Sequence, residues 1–169
     1  MSTRAEAEYV GRRAELLAQL VLTRRKGVSV FSVGNADIGI DLVANLPPMR
    51  VKGLEKPVQP SLAVLVKGTS VELDGEVDAN TYARSTWKPL SANPLILSPV
   101  VVLLFSMERD QGFYSWLMEP RLYGEGAPGL DFVDTPDMTK ITRKSIDHVF
   151  DRVESWYTMM AGILMRHAT

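Results

Sequence analysis

Cysteine is absent from this chain, and histidine occurs only at His148 and His167. The first absence excludes a disulfide scaffold and a cysteine nucleophile, and together they exclude the usual Cys/His zinc sites. A metal would have to sit on carboxylates, a donor set that favours hard cations such as magnesium or manganese. Net charge is also missing. Nineteen Lys plus Arg stand against 20 Asp plus Glu, a formal charge of -1 over 169 residues. Bulk charge alone therefore does not hold a polyanion here. No apolar run suffices to span a bilayer. The most apolar one, Leu95 to Met107, contains Pro99 and reads as a buried strand. The segment Met1 to Glu15 is polar and charged, without the apolar centre of a signal peptide. The expectation is a cytoplasmic protein that does not enter a membrane.

What is present is ordinary globular composition, 46% apolar and 23% charged. That is enough for one domain, residues 1–169, with a real core. No repeat, low-complexity run or linker divides it, and no small-molecule cofactor is evident. Val10, Ala14, Leu17, Leu20 and Val21 fall at helical spacing, which predicts a first helix from Thr3 to Lys26. Arg24, Arg25 and Lys26 would complement the dipole of its last turn, and Gly27 would stop it. Val28–Val33 and Gly39–Leu46 read as strands around a Gly34–Asp37 turn. A basic, proline-containing excursion covers residues 49–60, and Ser61 to about Ser70 reads as a third strand.

Asp78 is expected to cap a short helix running to Trp87. Leu95–Met107 and Gly112–Glu119 should then form a strand pair about the turn Arg109–Gly112. A Gly/Pro-rich loop is expected over residues 124–136 and a short strand over Met138–Arg143. Ile146, Val149, Phe150, Val153, Trp156 and Met160 predict a final helix from about Ser145 to Arg166, with its apolar stripe against the domain or a partner subunit. This order of elements implies an α/β fold, a central mixed sheet flanked by helices.

Two strands place a charge on an otherwise apolar face. In Ile40–Ala44, Asp41 shares a face with Val43, opposite Ile40, Leu42 and Ala44. In Ser61–Lys67, Lys67 shares a face with Ala63 and Leu65, opposite Leu62, Val64 and Val66. A buried charge is costly unless it is paired or binds a metal. The two charges therefore either neutralise each other, mark strand ends near solvent, or serve a site. Glu15 reads equally as a surface residue spaced to pair with Arg12, which is itself spaced to pair with Glu8. The basic clusters Arg24–Lys26 and Lys140/Arg143/Lys144 read as solvated faces or, as the alternative, as contacts for phosphates. Both histidines read as helix-surface residues. The pairs Trp156–Tyr157 and Met159–Met160 read as core or interface.

A helix carrying an inward Glu, then a strand with Asp, then a strand with acid-x-Lys is the order found in the PD-(D/E)xK nuclease superfamily, which this sequence resembles. Ala14-Glu15-Leu16-Leu17, with Gly27 downstream, resembles the first helix of archaeal Holliday-junction resolvases. Ile40-Asp41-Leu42-Val43-Ala44 resembles their metal-binding strand. Val64-Leu65-Val66-Lys67-Gly68-Thr69 resembles the Gln-x-Lys variant of that strand in Mrr-type restriction enzymes and a related bacterial domain family. The strands around Pro99–Leu103 and Tyr114–Leu117 are similar to that bacterial family as well.

The resemblance implies a restriction-endonuclease-like fold and a magnesium- or manganese-dependent nuclease acting on DNA in defence or repair, working as a homodimer. Asp41, Glu15 and the carbonyl of Val66 would hold the metal. Asp41, Glu15 and Lys67 would form the catalytic set, with Lys67 orienting the attacking water or neutralising the developing charge. The sequence departs from the pattern at Leu65, where Glu, Asp or Gln is expected, and leucine does not coordinate a metal. Glu72 or Asp74 would be the nearby acids to compensate. Weak or absent activity follows, and the alternative is a catalytically inactive nuclease-fold module that binds protein or nucleic acid.

Overall fold

The computed structural model describes residues 3–33, 39–86 and 97–167, without the side chain of His167. The first helix, α1, spans Arg4–Leu22, and the Thr3 side chain accepts from the Glu6 N–H at its start. Three strands follow: β1 Ser29–Ser32, β2 Leu42–Asn45 and β3 Ser61–Thr69. Helix α2 covers Glu76–Thr86. Then come β4 Val100–Ser106, β5 Gln111–Arg121, β6 Gly129–Phe132 and β7 Thr139–Lys140, and helix α3 closes the chain at Arg143–His167.

All seven strands join one mixed sheet in the order β1-β2-β3-β4-β5-β6, with β7 also paired to β5. Strands β1, β2 and β3 form an antiparallel meander, β3 and β4 run parallel, and β5 returns antiparallel to β4. The parallel pair needs a crossover, and α2 lies within it. This is the α/β architecture with flanking helices that the sequence implied.

Strand alternation sorts the core into two layers. Leu42, Ala44, Leu62, Val64, Val66, Val101, Leu103 and Phe105 face α1 and α3 and form one cluster with Ala14, Ala18, Ile146, Phe150 and Val153. Ala63, Leu65, Val100 and Val102 face the other way, toward the side that α2 covers through Ala79 and Ala83. Phe105, Phe113 and Phe150 are among the largest fully buried side chains, and each contributes roughly 1.5–3 kcal/mol by leaving water. The α3 stripe expected to pack on the domain or on a partner subunit packs within the chain: Ile146, Val149, Phe150, Val153 and Trp156 are buried and Met160 is half-buried. The Trp156 indole N–H donates to the Gly129 carbonyl at 2.9 Å, and its ring meets Tyr157 edge-on at 5.0 Å.

Several boundaries differ from the sequence expectation. Helix α1 ends at Leu22 rather than Lys26, so Arg24–Lys26 lie beyond its last turn. Arg25 instead reaches α3, donating to Asp151 at 2.7 Å and Glu154 at 2.8 Å, with its guanidinium over the Phe150 ring. Strand β2 starts at Leu42, not Gly39, and the turn at residues 34–38 lies outside the described residues. Asp78 is not the residue before α2 but sits in its first turn, where its carboxylate accepts the Asp74 N–H at 3.0 Å. Trp87, Leu95 and Ile96 also lie outside the described residues. The Gly/Pro-rich loop contains β6, because the long outer edge of β5 leaves backbone groups that Gly129–Phe132 satisfies. The strand expected over Met138–Arg143 is only Thr139–Lys140. Thr142 then starts α3 two residues early, exchanging reciprocal side chain–backbone bonds with Ser145 at 3.0 and 2.8 Å.

Helix α1 crosses β3 at Gly68. A Cβ there would lie 2.8 Å from both the Val10 carbonyl oxygen and its Cγ1, and 3.0 Å from the Ala14 Cβ. Backbone on one side and a helix-facing methyl on the other leave little to yield. Gly68→Ala is expected to lower stability by about 1–3 kcal/mol, and Gly68→Val by more, as read from urea denaturation midpoints. Full stability in Gly68→Val would mean that α1 does not seat there.

Candidate functional site

Asp41 and Lys67 are set by the pairing of β2 with β3. Leu42 is opposite Val64 and Val43 is opposite Ala63, so the antiparallel register carries Asp41 toward Leu65. By alternation, Asp41 lies on the side of the sheet that carries Ala63, Leu65 and Lys67. Both charged residues are at the same end of the strand pair, where β2 begins and β3 approaches its close.

The Asp41 carboxylate does not stand free above the sheet. Its Oδ2 accepts the Val66 N–H at 2.7 Å, while the Asp41 N–H donates to the Val64 carbonyl at 3.0 Å and its own carbonyl accepts from Val33 N–H at 2.9 Å. The side chain thus continues the β2–β3 ladder by one bond after the backbone has left it. This latch holds Asp41 against the residue next to Lys67. Lys67 is exposed, and among the described residues no ion pair joins it to Asp41. The two charges share an end of the sheet without neutralising each other.

Glu15 is half-buried on α1, one residue after the Ala14 that packs against Gly68. It therefore sits at the same end of the sheet as Lys67, on the helix that covers the opposite face. No ion pair joins Glu15 to Arg12, or Arg12 to Glu8, although the spacing would allow both. Leu65 is buried at 7% exposure among Ala63, Val100, Val102 and Leu117. Glu72 and Asp74, the acids nearest in sequence, both hold Arg109, Asp74 at 3.5 Å. Among the described residues no three His, Asp or Glu side chains converge as a metal cluster.

A concavity of about 260 Å³, which sequence reasoning missed, lies between β5 and α3. Tyr114, Glu119, Asp137, His148 and Arg152 line it. Burial, then the nearby charge of Glu119, pushes the Tyr114 phenol up. Arg152 forks onto Glu125 at 3.1 and 2.8 Å, reaches Glu119 at 3.5 Å, and keeps a buried Nε–H without a partner. These residues are far apart in sequence, and only the packing of α3 on β5 gathers them. His148 is exposed, as its helix position implied. Lys140, Arg143 and Lys144 are also exposed.

The Arg152 hydrogen bonds, then the Leu122 N–H, hold the Glu125 carboxyl below its ordinary range. A depressed folded value stabilises above the unfolded value and is lost as pH falls through the folded one. Glu125→Gln is therefore expected to melt below the parent at neutral pH, with the gap closing in acid. A gap that persists in acid would assign the effect to shape rather than charge.

Asp41→Ala removes the acceptor of a half-buried N–H and is expected to destabilise the protein by about 1–3 kcal/mol in chemical denaturation. Asp41→Asn keeps an acceptor oxygen and should lose less. No family model, curated protein or solved structure matches this chain.

Proposed function

We propose that this chain is a nuclease-like protein of the PD-(D/E)xK type, with a restriction-endonuclease-like fold, acting on DNA in defence or repair. One observation carries the reading: the 2.7 Å bond from Val66 N–H to Asp41, which fixes a carboxylate beside the strand that bears Lys67. The order of the elements supports it. A helix with Glu15, a strand entered at Asp41 and an antiparallel neighbour ending past Lys67 converge at one end of a mixed sheet.

The donors present are hard oxygens, which suit magnesium or manganese. Asp41 would hold the ion through the oxygen not given to Val66, with the Val66 carbonyl as a further donor; Glu15, on the helix over the opposite face, would have to reach around the end of the sheet to join them. Such an ion supplies a more acidic bound water and charge relief at a phosphate. The set falls one carboxylate short, because Leu65 occupies the third position and is packed into the core. Lys67, exposed beside that position, would meet a phosphate oxygen. A homodimer fits a nuclease that cuts both strands, but the α3 stripe is spent inside the chain, so the contact would use another surface.

A second reading is a module of the same fold that binds nucleic acid or protein without cleaving it. The burial of Leu65 favours it, since an apolar side chain in that pocket stabilises the fold and offers no ligand.

The experiment pairs melting curves with a cleavage assay on plasmid and single-stranded DNA. The parent is expected to cleave weakly or not at all with manganese. Leu65→Glu should melt below the parent without metal, because a desolvated carboxylate beside Ala63 is unfavourable. Manganese should then raise its Tm more than that of the parent, by mass action on the folded state. Robust parental cleavage abolished by Asp41→Ala would establish the enzyme reading despite Leu65. An equal metal response in parent and variant would mean that position 65 does not face a cation, and the motif correspondence would fall.

A further inference from the structure

Between α2 and the sheet lies a pocket of about 180 Å³ whose apolar interior beyond Leu65 and Lys67 the nuclease reading leaves unused. Its floor is Leu65, Val102, Leu104 and Leu117, from three adjacent strands. Its wall is α2, which touches the sheet through alanines: Ala79 is fully buried and Ala83 is 3% exposed. Leucines opposite alanines leave a gap that the helix does not fill. For scale, an engineered apolar cavity of about 150 Å³ stays dry and accepts benzene.

The polar groups at the rim are few and of one sign. Lys67, whose register partner on β4 is Leu104, stands at the edge of the pocket. Tyr82 and Thr86 add hydroxyls, although the Thr86 hydroxyl already donates to the Tyr82 carbonyl at 3.0 Å. No carboxylate lines the pocket among the described residues, and no ion pair there engages the Lys67 ammonium. An apolar recess with one exposed cation and no anion selects a ligand of complementary build, with a compact apolar body and one negative head.

We propose that this pocket binds a small amphipathic carboxylate, with the head on Lys67 and the body between Ala83 and the Leu65/Val102/Leu104/Leu117 floor. The site shares Lys67 and the Leu65 position with the nuclease reading but not Asp41, and its test reads binding of a small acid without metal or cleavage, so the two readings fail on different measurements. The volume limits the occupant to a short chain or a single ring, which distinguishes a free small acid from a lipid acyl chain.

The test titrates hexanoate, hexanol, hexylamine and dodecanoate into the intact protein and follows methyl resonances of Leu65, Leu104, Leu117 and Met138. Hexanoate is expected to bind saturably with Kd of about millimolar order, more tightly than hexanol, with hexylamine weakest. Lys67→Gln should weaken hexanoate roughly three- to tenfold while leaving hexanol unchanged. Ala83→Leu should abolish both by filling the gap, and Asp41→Asn, which keeps an acceptor for the Val66 N–H, should leave both intact. If Ala83→Leu does not fold, the exposed Lys67→Gln variant decides alone. Equal affinity for hexanoate and hexanol, binding that survives Lys67→Gln unchanged, or no saturable shift at those methyls would each overturn the proposal. So would much tighter binding of dodecanoate, which would point to an acyl-chain surface instead. Loss of hexanoate binding in Asp41→Asn would tie the pocket to the carboxylate of the nuclease-like site and overturn its independence.

Discussion

The parallel pairing of β3 with β4 is the constraint on which the rest of the molecule depends. Seven residue pairs, from Ala63 with Val100 to Thr69 with Ser106, join the two strands. Strand β4 is buried along its whole length, and β3 is buried from Leu62 to Val66. Strands apolar on both faces must be covered on both faces. Parallel strands must also be linked by a crossover, which places α2 on one side. The helices at the two chain ends then have the other side to cover. The close approach of α1 at Gly68 follows, since a side chain there would hold the helix off the sheet.

The two faces are covered unequally. On the α1/α3 face, leucine, valine and phenylalanine interdigitate with two long amphipathic helices. On the other face, α2 contributes two buried alanines over leucine and valine, and space remains. Near the end of β3 only the Lys67 side chain is exposed, between buried Val66 and a Gly68 packed under α1, and the Asp41 carboxylate replaces a missing backbone partner for Val66. Asp41 is thus a structural latch between β3 and the residues entering β2. A half-buried carboxylate with one oxygen bonded to an amide keeps its second oxygen for another partner.

The near-neutral composition has a structural counterpart in the arginines. Arg25 holds Asp151 and Glu154, Arg109 holds Glu72 and Asp74, and Arg152 holds Glu119 and Glu125. Exposed pairs of this kind contribute roughly 0–1 kcal/mol each. Arg25 and Arg152, at 23% and 16% side-chain exposure, are the better shielded and tie α3 to the rest of the chain. Glu72 and Asp74 are thereby committed to Arg109.

The sequence by itself determined the class of the fold, the order of its main elements and which residues of each strand face together. Burial follows from apolar spacing, and alternation along a strand is a local geometric fact. Val64, Leu65, Val66 and Lys67 therefore took their faces without any knowledge of neighbours, and the α3 stripe was legible for the same reason. The sequence also singled out Asp41 and Lys67, because each breaks an apolar face. Only the tertiary structure decided that Asp41 bonds Val66 rather than Lys67, that Arg25 serves α3 rather than the dipole of α1, and that a glycine-rich stretch supplies strand β6. It alone gathered Tyr114, His148 and Arg152 into one cleft, and opened a pocket where alanine faces leucine. Each of these is a contact between residues distant in the chain. Such contacts depend on which strand lies beside which and how closely a helix approaches, and local periodicity does not encode either.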